Sequence, residues 1–491
     1  VTELRALVPH LTLVGIGVLV IALDLLRVRR RLCCLGAVTA LGAIVVLALD
    51  WSSPGASLWN GLAVTDAFSK AFDTVFLVSL ALVALGSAAS EKSATYAGEY
   101  FGILAFATLG LMLAASASSL LVLYVGVELT TICLMGLVGF AKTERRSAEA
   151  SVKLFVVGAV ASAVALYGAG IVYGVARSTE YAAVIAALGD RQAGFPLVLW
   201  LGVACVVAGL AFKVAAVPFH AWAPDVYEGA PTPVSAYLST ASKAGGFAGL
   251  LRFLLVAIGV AGDRWVPVVV ILALASMIAG NLMAISQRNL KRMLAYSGIS
   301  QAGYMLVAVA GAWLPGNRLA VASVVMYAFL YAFTNVGGFL LAHAVGEATG
   351  SDQIVALRGL HRRAPLLALT ALVVLFSLGG IPPLAGFVGK LYLFAAGWDG
   401  GQVLLVAVGA AISVVALYYY LRVALEAYIR DPDEDTPIRV PAPLAVALAV
   451  CVIATVSIGV YPRPWVALGE RAAQAVETLS NARTHLVSGG R

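Results

Sequence analysis

The chain has 491 residues, 61% of them hydrophobic and only 12% charged, with a net charge of +7. Soluble proteins carry about 25% charged residues, so this composition excludes an ordinary globular chain and points to a polytopic membrane protein. The basic excess does not indicate a nucleic-acid partner, because the lysines and arginines lie in short loops between apolar stretches rather than on one soluble face.

About 14 stretches are long enough to cross ~30 Å of hydrocarbon as helices. They fall near 8–27, 32–50, 72–90, 98–115, 117–140, 151–176, 197–220, 232–258, 264–284, 292–313, 319–346, 364–395, 402–428 and 441–462. The first is expected to be retained rather than cleaved as a secretory signal, since the residues before it carry no basic excess, Glu3 offsetting Arg5, and a basic cluster follows. That cluster is Arg27, Arg29, Arg30 and Arg31. Lys142, Arg145 and Arg146 follow span 5; Arg288, Lys291 and Arg292 follow span 9; Arg358, Arg362 and Arg363 follow span 11. All four clusters come after odd-numbered spans, so they share one side, which the positive-inside rule makes cytoplasmic. Both termini then face outward. The loop 429–440 falls on the cytoplasmic side despite its acids, because the rule weighs lysine and arginine.

Among the charged residues inside these spans are four lysines and a glutamate, Glu128, Lys153, Lys213, Lys243 and Lys390. A charge at the bilayer centre costs at least ~2.5 to 3.5 kcal/mol on insertion scales, which makes each a candidate functional group. Glu128 lies about eleven residues from either end of span 5, too deep for its carboxylate to reach water. It needs a partner or a proton, or else serves a fixed helix-helix hydrogen bond. Lys153, early in span 6, is four residues from Glu149, so a relay role competes with an interfacial ion pair.

In span 7, Lys213 precedes Pro218 in FKVAAVPFHAW, and the proline is expected to open the helix one turn beyond the lysine. Broken helices at midplane mark transporter sites. His220, two helical turns on, is expected on a similar face near the cytoplasmic end, either passing protons or serving as an interfacial hydrogen-bonding group. Lys243 in STASKAGGFAGL has small neighbours that leave room for water around the amine. Arg252, later in the same span, does not release its proton and reads as structural. In span 12, Gly379, Gly380, Pro382 and Pro383 precede Lys390 and form the strongest break in the chain. The lysine, in the outward half of the span, either exchanges protons with the outer side or snorkels to the interface.

Cys33, Cys34, Cys133, Cys205 and Cys451 all lie in apolar spans without a spacing suited to iron-sulfur or zinc ligation, and read as small buried hydrophobes. The chain has no P-loop, dinucleotide fingerprint or HExxH motif, so nucleotide or redox chemistry is expected in partners. The five spans from about 98 to 258 and the five from about 264 to 428 each contain a broken helix carrying a lysine. Repeats of odd span number are inverted in the membrane. The match is positional, since lysine precedes proline in span 7 and follows it in span 12.

The segments KVAAVPFHAWAPDVYEGAPTPVSAYLSTASKAGGF, LYVGVELTTICL, SQRNLKRMLAYSGISQAGY and GGIPPLAGFVGKLYLF carry a family resemblance. Over nearly its whole length the chain resembles subunit N of bacterial-type NADH-quinone oxidoreductase, respiratory complex I, an antiporter-like membrane subunit family. The wording DVYEGAPTP, with Lys243, is nearer to subunit N than to sister subunits L and M, and no long lateral helix follows span 14 as in subunit L.

The resemblance implies an all-α polytopic membrane fold with two inverted five-helix repeats and two broken helices. Residues 1–97 would hold spans 1 to 3, 98–258 and 259–428 the repeats, and 429–491 a cytoplasmic loop, the last span and an outward tail. It implies a proton relay in which Glu128 and Lys213 form a charge pair, Lys243 is central and Lys390 is the outward terminal donor, while Lys153 matches a further family lysine. No cofactor is expected in this chain; NADH, flavin, iron-sulfur clusters and quinone are expected in partner subunits. The expected partners are antiporter-like subunit M, small membrane subunits and the lipid bilayer, and the expected location is a bacterial inner membrane with periplasmic termini. A cation/proton antiporter not coupled to redox chemistry remains the alternative reading.

Overall fold

The structure, a computed structural model, describes residues 2–26, 31–88, 96–189, 197–432 and 436–488. The chain begins with α1 (Thr2–Leu25) and α2 (Arg31–Ser52), then a short antiparallel hairpin of β1 (Ala56–Leu58) and β2 (Ala63–Thr65). Next come α3 (Ala67–Ser87), α4 (Ala97–Ser116), α5 (Leu120–Val138), α6 (Arg145–Ala176) and the short α7 (Tyr181–Gly189). The interrupted span 7 comprises α8 (Leu197–Lys213) and α9 (Trp222–Gly229); span 8 comprises α10 (Thr232–Tyr237), a π-helical turn and α11 (Lys243–Leu251) with a second π segment after it. The second half contains α12 (Gly262–Ile285), α13 (Leu290–Gly311), α14 (Arg318–Thr349), the single-turn α15 (Leu360–Arg363), α16 (Pro365–Gly379), α17 (Ala385–Asp399), α18 (Val403–Tyr428), α19 (Ala442–Val460) and α20 (Arg463–Ser488).

Eleven of the predicted spans are uninterrupted helices long and apolar enough to cross a membrane. The other three, 197–220, 232–258 and 364–395, are those in which the chain departs from regular α geometry. A helix that is hydrophobic all round belongs inside a bundle or a bilayer, and both cases occur. Helices α13 and α14 are buried on nearly every face, whereas α1, α2, α6 and α18 leave Leu, Ile and Val side chains uncovered.

Three features depart from the sequence expectations. The all-α architecture includes the β1–β2 hairpin, whose Leu62 carbonyl accepts from the Ser118 amide and the Ser119 hydroxyl at the start of α5. The tail after span 14 is the helix α20, which packs back along α14 with Trp465 stacked on Phe329 at 4.2 Å and Arg318 bonded to Glu477 at 2.5 Å. The cysteines are not uniformly buried: Cys451 is, Cys133 and Cys205 are partly covered, and Cys33 and Cys34 lie on the uncovered face of α2. Helix periodicity puts them there, because α2 turns only one side toward the bundle.

Basic clusters after spans 5, 9 and 11 converge at one end of the bundle. Arg146, Lys291, Glu228, His343 and Asp352 line one cavity of about 330 Å³ there. The loop before α19 joins the same end through a hydrogen bond from the Ile438 amide to the Arg363 carbonyl. The cluster following span 1, Arg27, Arg29, Arg30 and the Arg31 side chain, and the acids Asp433, Glu434 and Asp435 lie outside the described residues.

Candidate functional site

Helix α8 stops at Lys213 itself, not one turn beyond it. The Ala216 amide donates to the Ala211 carbonyl at 2.9 Å and the Ala215 amide to Phe212 at 3.0 Å. This is the Schellman arrangement, with Ala215 in the left-handed conformation (φ +56°) where glycine is usual. A non-glycine residue there costs on the order of 1 kcal/mol, so surrounding contacts hold it. One such contact is the hydrogen bond from the Val217 amide to Ser276 of α12, 2.9 Å. The helical register expected for His220 is lost with the break. His220 lies in the irregular segment before α9, half-buried, and its Nδ1 has no partner among the described residues.

Glu128 and Lys213 line one cavity of about 40 Å³ between α5, α6 and α8, with Tyr124 and Ser162 beside them and apolar residues around. A water needs roughly 10–15 Å³ of such volume, so two or three fit. The two charged groups are not directly paired. The Ser162 hydroxyl of α6 donates to Glu128, and the Lys213 amine donates to the Thr131 hydroxyl of α5, one turn from Glu128. Glu128 still acts on Lys213 electrostatically.

Lys153 is separate from this cavity. Its amine pairs with Glu149 at 2.9 Å and Asp225 at 2.8 Å, and Asp225 also receives Arg292 at 2.6 Å. The interfacial-pair alternative therefore describes its position, extended into a network that ties α6 and α13 to α9. Burial by itself pushes the Asp225 carboxyl up, but hydrogen bonds and charge from Lys153 and Arg292 outweigh it and hold the group below its ordinary 3.8.

Lys243 is 2% exposed and begins α11 directly after the π-helical turn Leu238–Ser242. Such turns are frequent at functional sites because they release backbone groups from the regular ladder. Its amine donates to the Gly298 carbonyl of α13. A Cβ at Gly298 would lie 3.1 Å from both the Lys243 amine and the Tyr331 hydroxyl, so any larger residue there crowds the two groups. Gly246, one turn beyond Lys243, packs against Lys213 and Val214, where an added Cβ would come within 2.8 Å of Val214. The helices carrying the two lysines touch there.

Span 12 breaks with the same Schellman geometry. The Ile381 amide donates to Phe376 at 2.9 Å, and Gly380, at φ +85°, occupies the left-handed position. Lys390, in the second half-helix, reaches back across the break: its amine donates to the freed Gly379 carbonyl at 3.2 Å and lies 4.8 Å from the Tyr304 ring centre. It is 5% exposed and does not snorkel toward the helix end. The two breaks thus stop alike while their lysines sit on opposite sides of the stop.

Sequence reading missed the side chains between Lys243 and Lys390. Ser297, beside Gly298, shares a 2.5 Å hydrogen bond with Tyr420, and Gln301 donates to Tyr420 at 3.4 Å and to the Leu378 carbonyl at 3.2 Å. Tyr327 donates to Gln301 at 2.5 Å. Tyr419, in ring contact with Tyr420, donates to Asn281 at 3.0 Å, and Asn281 donates to Tyr304 at 3.0 Å. All are buried. The signal available was Gln301 and Tyr304 within the motif SQAGY of an otherwise apolar span.

A family model described as NADH:quinone oxidoreductase/Mrp antiporter, TM, matches residues 117–416. The chain is 42% identical over 445 residues to NADH-quinone oxidoreductase subunit N of Desulforamulus reducens, covering 90% of this chain and 92% of the relative. It is similar to a chain of respiratory complex I from Thermus thermophilus with bound aureothin, at TM-score 0.77 and 31% identity, over 94% of this chain and 98% of that one. A chain of the Mrp complex from Dietzia sp. matches at TM-score 0.83 over 99% of both, and its 22% identity supports likeness of fold alone. With both interrupted helices inside the matched region and sequence likeness along nearly the full length, the chain belongs to the NADH:quinone oxidoreductase/Mrp antiporter family and, within it, to the subunit N family of NADH-quinone oxidoreductases.

Proposed function

We propose that this chain is the proton-translocating membrane subunit of an NADH-quinone oxidoreductase, working beside antiporter-like subunit M and small membrane subunits. NADH, flavin, iron-sulfur clusters and quinone belong, on this reading, to partner subunits. The end carrying the basic clusters faces the cytoplasm and both termini face outward, in a bacterial cell membrane. Residues 98–258 and 259–428 are the inverted units, a reading supported by the shared Schellman stop of α8 and α16.

The observation that carries the proposal is the set of buried polar side chains between two lysines: Ser297, Gln301, Tyr420, Tyr419, Asn281 and Tyr304 lie between Lys243, bonded to the Gly298 carbonyl, and Lys390, bonded to the Gly379 carbonyl with its amine over the Tyr304 ring. Hydroxyls and amides both donate and accept, so such a series can pass a proton where an apolar core cannot. Glu128 acts at the other end. Unit charges a few Å apart interact by about 3–4 kcal/mol at an effective dielectric of ~20, enough to decide whether a buried lysine holds its proton. A change in the charge of Glu128 releases or loads Lys213, and the proton moves by Lys243 to Lys390 and leaves outward. Lys153 and His220 stand outside this sequence, Lys153 as a brace and His220 as a group near the cytoplasmic end.

The test is proton pumping measured against electron transfer in vesicles carrying the assembled complex with Lys213→Ala, Glu128→Gln or Lys390→Ala. Each is expected to lower the proton-to-electron ratio. Normal assembly with an unchanged ratio in all three sinks the relay.

A further inference from the structure

At the end of the bundle opposite the basic clusters, the chain buries a second set of charges. Asp66, Lys70 and Asp73 are spaced i, i+4, i+7 from the cap of α3 inward, which places them on one face. That face meets Asp50 in the last turn of α2 and Arg252 beyond α11. Asp50 is 1% exposed and Asp73 2%.

The partners do not balance. Arg252, stacked on Phe68 at 4.6 Å, donates to Asp66 at 2.7 Å and to the Ala115 carbonyl at 3.1 Å. Asp66 also accepts from the Ser69 amide at 2.9 Å, so this pair is committed to capping α3. The Lys70 amine donates to the Ser53 carbonyl at 2.6 Å rather than to a carboxylate. Oδ2 of Asp50 and Oδ1 of Asp73 are buried with no hydrogen-bond partner among the described residues. Three carboxyl groups thus face two cations; Oδ2 of Asp66 and Nη1 of Arg252 are likewise buried without a partner among the described residues, but that pair is already joined through its other atoms, so the surplus negative charge falls on Asp50 and Asp73. Two carboxylates sharing a dry site cannot both stay ionised; such groups neutralise by taking a proton. A metal cation is the other way to neutralise them, but no three His, Cys, Asp or Glu side chains among the described residues are placed to hold one.

We propose that Asp50 and Asp73 hold one proton between them, forming a buried proton-binding site between α2 and α3 that is separate from the lysine series. The proton resides on one carboxyl, and Lys70 balances the charge of the other. Asp66, partly exposed, marks the side from which water reaches the site.

Infrared difference spectroscopy on the assembled complex tests this, comparing wild type with Asp73→Asn and with Asp50→Asn in light and heavy water. The expected result is one protonated-carboxyl band that shifts on deuteration and disappears in at least one variant. Persistence of every such band in both variants overturns the proposal. Carboxylate bands that move on exchanging sodium for potassium, with no protonated-carboxyl band lost, assign a metal cation instead and overturn it too. Failure of both variants to assemble also overturns it, because asparagine is the neutral isostere of a protonated aspartate and one position must accept it.

Discussion

Glu128 and Lys213 line one small cavity, yet each is bonded to a hydroxyl instead of to the other, Glu128 to Ser162 and Lys213 to Thr131. A direct ion pair would fix both charges. Hydroxyl partners leave each group free to change its proton while remaining hydrogen-bonded, because a hydroxyl serves either protonation state.

Removing those hydroxyls is therefore expected to change coupling more than folding. Thr131→Val and Ser162→Ala should each lower the proton-to-electron ratio several-fold while the complex still assembles. Leaving a buried polar group without its hydrogen bond costs about 1–3 kcal/mol, and more for a charged one, which biases the lysine or the carboxyl toward its neutral state. Dye-monitored pumping in vesicles, normalised to NADH oxidation, reads the effect. A ratio equal to wild type in both variants contradicts it.

Between the two buried lysines, Tyr420 is the branch point, bonded to Ser297 and to Gln301. Tyr420→Phe keeps the ring and removes the hydroxyl. Pumping is expected to fall about tenfold or more, with electron transfer preserved when the membrane is uncoupled. Asn281→Leu, which cuts the Tyr419 to Tyr304 link, should behave alike. Pumping undiminished by both substitutions would show that protons bypass these side chains.

Gly298→Ala places a methyl 3.1 Å from the Lys243 amine and the Tyr331 hydroxyl. The lysine's flexible end can move aside, so assembly is expected to survive while the hydrogen bond to the Gly298 carbonyl is lost. Pumping should drop toward the level of Lys243→Ala. Were Gly298→Ala to pump like wild type, the close contact would have no role in proton transfer.

Lys153 and Asp225 are expected to contribute bracing. Lys153→Ala breaks exposed, solvent-screened ion pairs and should slightly lower the temperature at which the purified complex dissociates without altering its proton-to-electron ratio. The Asp225 carboxyl is held below its ordinary 3.8, so its stabilising contribution is fully present above about pH 4 and is lost as pH falls through the lowered value. Thermal dissociation followed from pH 8 to pH 3 should show no change from this group near neutrality. The acid-side loss should be smaller in Asp225→Asn.

The apolar spans, the gathering of the basic clusters after spans 5, 9 and 11 at one end, and the intramembrane charges at Glu128, Lys213, Lys243 and Lys390 were legible in the sequence because hydropathy and the cost of burying charge are properties of a single segment. The proline and glycine punctuation likewise located both breaks, since those residues act on their own backbone. What the sequence left open depends on helices far apart in the chain. Lys213 meets Thr131, 82 positions away, and Tyr420 meets Ser297, 123 positions away. The exact stop at Lys213 depends on Ala215 being held left-handed, which no propensity favours. The surplus carboxyls at Asp50 and Asp73 became visible only when α2, α3 and the segment after α11 were brought together. Local chemistry decides which groups are costly to bury, while tertiary packing decides which of them share a cavity, a hydroxyl or a proton.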